Sequence, residues 1–125
     1  MFREVAMIDV YTLEESYRGY DIVVKLRWCV GEFAAIPNHW YCGYVRIPEG
    51  HKLHGAGCIE IDRFVSVHGG VTYAGEIIEA DGFYAGIDCA HLGDTPEVQD
   101  EAYTLDECKR LVDQLIEVDD DEGRA

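Results

Sequence analysis

The sequence predicts an α+β fold: a curved antiparallel sheet built of hairpins, with one C-terminal amphipathic helix. Two observations carry this. Short runs of alternating apolar and polar residues are punctuated by glycine-bearing turns, the pattern of antiparallel hairpins. Near the C-terminus the apolar residues recur at helical spacing instead: Leu105, Cys108, Leu111, Val112, Leu115 and Ile116. The 125 residues fit one domain, expected over 1–118, followed by an acidic disordered tail over 119–125.

Taken in order, Val5, Met7, Ile8 and Val10 mark a first strand over residues 2–10. The segment Thr12 to Tyr20, with Leu13-Glu14-Glu15-Ser16, reads as a helical turn closed by Gly19. In Ile22 to Trp28, Val24, Leu26 and Trp28 share one face while Lys25 and Arg27 point the other way, a strand signature. Turns are expected at Gly31 and Pro37-Asn38, then a strand from Tyr41 to Ile47 that ends at Pro48-Glu49-Gly50. After the loop His51 to Gly57 and a short piece Ile59 to Ile61 come two further hairpin signals. Strand Phe64 to His68 meets Val71 to Ile78 across Gly69-Gly70, and Asp81-Gly82 leads into strand Phe83 to Cys89. The helix is expected to begin with a capping box, Thr104-Leu105-Asp106-Glu107.

Charge narrows the function classes. Against 25 acidic residues stand 10 basic ones, a net charge of −15 that repels phosphate backbones and anionic membranes. No direct nucleic-acid binding and no membrane association are therefore expected. No apolar run approaches the roughly 20 residues of a membrane helix, and no secretory signal is visible, so the expected location is cytoplasmic. The acidity fits a salt-adapted or plain solvated surface, or mimicry of nucleic acid against a basic partner. The five cysteines include no CxxC pair, so free thiols are expected.

Chemistry-bearing residues gather in three glycine-flanked clusters, around His51 and His54, around His68-Gly69-Gly70 with Thr72 and Tyr73, and around Asp88, His91 and Asp94. His51, His54 and Cys58 are zinc-type ligands, with Cys89, His91 or Asp88 as a fourth, but the second close pair of a structural zinc site is missing. No metal or cofactor is expected. Cys89 beside His68 or His91 is a nucleophile arrangement, yet it also completes the buried alternation Phe83, Ala85, Ile87, Cys89. The reading we carry forward is a polar pocket lined by Trp40, His51, His54, His68, Gly69, Gly70, Thr72, Tyr73, Asp88, His91 and Asp94. Backbone donors at glycine turns, imidazoles, carboxylates and aromatic rings suit a nucleotide-like ligand.

Across residues 38–116 the chain resembles a family of small proteins met in phages, actinobacteria and haloarchaea. The resemblance rests on Trp40-Tyr41-Cys42-Gly43-Tyr44-Val45, on His68-Gly69-Gly70-Val71-Thr72-Tyr73 and on Gly86-Ile87-Asp88-Cys89-Ala90-His91-Leu92-Gly93-Asp94. It implies a setting rather than a reaction: a viral or proviral accessory protein in a host cytoplasm. Three functions follow as expectations. The first is a binding protein that antagonises host defence by sequestering a nucleotide-like ligand. The second is an acidic protein that blocks a host enzyme or nucleic-acid-binding complex by contact, and the third is a small cysteine- or metal-dependent hydrolase. A host protein and a second copy of the chain are the candidate protein partners.

Overall fold

The computed structural model describes residues 6–30, 39–78 and 80–123. Five strands form one open antiparallel sheet in the order β1-β2-β3-β5-β4. They are β1 (Ala6–Tyr17), β2 (Tyr20–Val30), β3 (His39–Arg46), β4 (Tyr73–Ile77) and β5 (Ala80–Asp88). A short helix, α1 (Cys58–Asp62), lies in the long connection after β3, and α2 (Glu101–Gly123) closes the chain. The α+β architecture with a C-terminal helix is the one the sequence predicts. The expected turns at Gly31 and Pro37-Asn38, and the first residues of the first strand, lie outside the described residues.

One face of the sheet carries the main core. Ile22, Val24, Val45, Ile47, Ala85 and Ile87 pack against Cys108, Leu111, Val112 and Leu115 of α2. The helix comes very close to β3. A Cβ at Gly43 would lie 2.3 Å from Cys108 Sγ and 3.1 Å from Thr104 Cγ2, so glycine alone fits this contact. The opposite face holds a smaller cluster of Val23, Cys42, Tyr44 and Tyr84, with no helix over it among the described residues. No helix among the described residues is long and apolar enough to cross a membrane.

Five local expectations are corrected. Residues 12–17 continue β1 and are not a helical turn; the strand register shifts between Tyr11 and Leu13, a bulge at Thr12. The bulge turns Leu13 toward the main core, and this break in alternation is what imitates a helical pattern. The hairpin closes at Arg18 and Gly19, both in left-handed backbone (φ 51° and 84°), as a two-residue hairpin turn requires.

The expected strand Phe64 to His68 and its Gly69-Gly70 hairpin are absent. That backbone pairs with side chains of α2 instead. Ser66 N–H donates to Gln114 Oε1 at 2.6 Å, Gln114 Nε2 donates back to Ser66 O at 3.0 Å, and His68 N–H donates to Glu107 Oε1 at 2.8 Å. Asp81-Gly82 likewise lies inside β5, because Ile77 already pairs with Ala80 and the chain reverses before it.

The helix begins at Glu101, one turn before the expected box. Asp100 Oδ1 accepts the Tyr103 N–H at 2.9 Å as the true cap, while Thr104 is fully buried and donates its hydroxyl to Asp100 O. At the other end the backbone stays helical through Gly123, where the sequence predicts a disordered tail from residue 119.

Candidate functional site

Two neighbouring arrangements collect the polar groups. The first is a cluster between the 63–72 segment and the start of α2. His68 is held on both ring nitrogens: Nε2–H donates to Asp94 Oδ2 at 2.7 Å, and Nδ1 accepts the Tyr103 hydroxyl at 2.8 Å. Asp94 Oδ2 also accepts the His91 N–H at 3.0 Å. Burial alone raises the Asp94 carboxyl, but the bonds from His68 and from the His91 backbone outweigh it and hold it below its ordinary value.

The His91 ring stands edge-on to His68, with centroids 5.8 Å apart, and covers Gly69 so closely that a Cβ there would lie 2.0 Å from Nε2. That nitrogen is sealed from solvent and lies 3.2 Å from Asp88 Oδ1 without the alignment of a hydrogen bond. Asp88 in turn accepts the Thr72 hydroxyl at 2.8 Å and the Ala90 N–H at 3.3 Å.

The second arrangement is a groove of about 360 Å³ on the sheet face opposite α2. Thr72 and Asp88 line one side of it, so the two arrangements share a wall. Asp9, Lys25, Arg27, Cys42, Tyr44, Tyr73 and Glu76 supply much of the rest. Strand pairing explains the layout. Lys25 opposes Cys42 and Cys42 opposes Asp88, so these three form a row across β2, β3 and β5 on one face. Next to it, Tyr44 opposes Gly86, and Gly86 opposes Tyr73. The absence of a side chain at Gly86 lets the two rings meet edge to face, 6.0 Å apart.

The charges in the groove are fixed. Arg27 grips Asp9 with two hydrogen bonds of 2.7 and 2.9 Å, and this pairing holds the Asp9 carboxyl below its ordinary value. Burial pushes the Cys42 thiol up to about 12 and raises the Tyr44 phenol as well. These groups keep one protonation state across the neutral range, which suits binding rather than proton transfer. Lys25 is 4 % exposed, and its ammonium lies 4.8 Å and 5.2 Å from the ring centroids of Tyr11 and Tyr44. Its anionic contact among the described residues is Asp9 at 3.9 Å, beyond hydrogen-bond distance.

Of the residues the sequence singled out, His68, Gly69, Thr72, Asp88, His91 and Asp94 come together. Tyr73 joins them through the groove. Gly70 flanks the cluster, with its N–H on Val67 O, and a Cβ there would lie 3.0 Å from Asp62 Oδ1.

Three are placed elsewhere, which corrects the single pocket expected. Trp40 packs into the small core of the open sheet face. His51 is a buried fastener: Nδ1 accepts the Leu53 N–H at 3.0 Å and Nε2–H donates to Leu115 O at 2.8 Å, which fixes the ring's orientation. His54 is exposed and leans on the Phe83 ring. Cys89 contacts Thr104 Oγ1 at 3.5 Å, and burial pushes its thiol up to about 11, so it stays protonated at neutral pH. Among the described residues no group of three or more His, Cys, Asp or Glu is arranged to hold a metal ion.

Sequence reasoning missed Asp9, Lys25, Arg27, Tyr44, Glu76 and Tyr103. The signal for two of them was present, since Lys25 and Arg27 alternate with the core residues of β2 and so must share the opposite face. Comparison of the chain with protein-family models, with curated proteins and with solved structures returned no match.

Proposed function

We propose that the chain is a small binding protein that takes one polar ligand of nucleotide type in the groove of the open sheet face. The observation that carries this is the Lys25 ammonium. The residue is 4 % exposed, and its ammonium, with three donors, finds two tyrosine faces and a distant carboxylate already gripped by Arg27. A buried charge in this condition is costly unless something hydrogen-bonds it. An anionic group entering the groove supplies that partner. The volume, about 360 Å³, lies at the low end of the roughly 300–1,000 Å³ typical of small-molecule sites, which suits one nucleotide-sized molecule.

The edge-to-face tyrosines offer a ring surface, and Thr72, Glu76 and Asp88 offer acceptors for the ligand's donors. The viral accessory setting belongs to the same proposal, with sequestration of a host nucleotide signal as the role. Purified protein titrated with mono-, di- and cyclic nucleotides is expected to melt at temperatures that rise with ligand concentration. Lys25→Met should abolish the rise while leaving the unliganded melting temperature the same or higher. A flat response across the whole panel overturns the proposal.

A further inference from the structure

The geometry points to a more specific ligand class, on the condition that the groove binds a ligand as proposed: a mononucleotide with one phosphate and an amino-bearing base. The groove is lined by two cations, Lys25 and Arg27, and three anions, Asp9, Glu76 and Asp88. Arg27 and Asp9 neutralise each other through their paired hydrogen bonds. What remains is one positive group, Lys25, and two negative ones, Glu76 and Asp88.

These groups are separated in a definite direction. Lys25, Cys42 and Asp88 occupy one cross-sheet row on three adjacent strands. At about 4.8 Å per strand, the backbone positions of Lys25 and Asp88 lie about 10 Å apart. The small side chain of Cys42 sits between them in the row. The groove is therefore dipolar, with an ammonium on one side and a carboxylate on the other.

A molecule that satisfies both sides carries an anion at one end and N–H donors at the other. One phosphate answers Lys25. An exocyclic amine answers Asp88, whose Oδ2 takes one hydrogen bond from Thr72 and keeps further lone-pair capacity. A keto group at the same place on the base would set its oxygen against the carboxylate. A triphosphate would bring several extra negative charges past Glu76 and Asp88 with no second free cation among the lining residues to meet them.

The test is calorimetric titration with adenosine, AMP, IMP and ATP. AMP is expected to bind tightest, and IMP, adenosine and ATP each about tenfold weaker or worse, the scale of one lost charge-assisted hydrogen bond. In Asp88→Asn, whose amide both donates and accepts, the preference for AMP over IMP should shrink to within about twofold. The fold of that variant is checked by circular dichroism. If ATP or IMP matches or exceeds AMP in the unaltered protein, or if the preference survives intact in a folded D88N, this inference fails and the binding reading stands. If none of the four binds, this inference fails as well, and the binding reading is decided by the full panel of mono-, di- and cyclic nucleotides.

Discussion

A histidine whose two ring nitrogens both have partners acts as a clamp, and His51 and His68 do so in different roles. His51 ties the loop after β3 to the carbonyl of Leu115, deep beside the helix. His68 ties the 63–72 segment to Asp94 and Tyr103 at the edge of the groove wall. Nothing in the sequence separates them, because both sit in glycine-rich stretches; only the partners, which are distant in the chain, tell them apart. Asp94 allows a direct test. Its folded carboxyl is held below 3.8, its ordinary value, so its contribution to stability is fully present above that pH and is lost as pH falls through the lower folded value. Asp94→Asn should therefore be less stable than the parent at pH 7, and the gap should begin to narrow below about 4 and go on narrowing as pH falls through the lower folded value, where the parent's carboxyl also becomes neutral. Asp9 titrates alike in both proteins and cancels from the comparison. Urea unfolding at several pH values measures this, and a gap that stays constant down to pH 2 would refute it.

At the level of elements, the alternating strands and the long apolar stripe were legible because their core faces depend on local spacing. What stayed hidden depends on partners far away. The bulge at Thr12 moves Leu13 onto the core face of β1, and no local residue type announces it. The 63–72 stretch looks like a hairpin, yet Gln114 and Glu107 satisfy its backbone from the helix, so a strand partner is not needed. Thr104 resembles a cap but is buried, since the space it fills lies under the helix against Cys89. The groove was legible only in part, as the sign of β2's outer face was readable but its closure by Tyr73 and Glu76 was not. The tight packing of α2 on β3 at Gly43 and Cys108 makes an element-scale prediction. Gly43→Ala places a methyl 2.3 Å from Cys108 Sγ and should cost about 2–3 kcal/mol, the range of core overpacking. Adding Cys108→Ala removes the clashing sulfur, and the double variant should recover at least half of that loss. Chemical denaturation of the two single variants and the double measures the coupling; strictly additive losses would show that the contact does not set how closely α2 approaches.

For the molecule as a whole, the net charge of −15 sets up a contest between two electrostatic effects. Ion pairs pin α2 to the sheet: Arg18 to Asp113 at 2.8 Å and Lys109 to Glu15 at 3.4 Å. Added salt weakens these, but exposed pairs are worth only about 0–1 kcal/mol each. The same salt relieves the mutual repulsion of the excess carboxylates; 12 of the 25 acids lie between Asp94 and Glu122, on or just before a single helix. With a few weak pairs set against a large excess of like charge, repulsion is the greater term. The melting temperature is expected to rise with sodium chloride, by about 5 °C or more, a stabilisation on the order of 1–2 kcal/mol in a domain of this size. The shape of the rise decides what the acidity is for. Screening saturates once the Debye length falls from about 30 Å at 0.01 M to a few ångströms near 1 M. A plateau by then identifies a solvated acidic surface, whereas a continued climb at molar salt identifies carboxylates adapted to a saline interior. A melting temperature that falls with salt would mean that the pairs to Asp113 and Glu15 matter more than the charge they are embedded in.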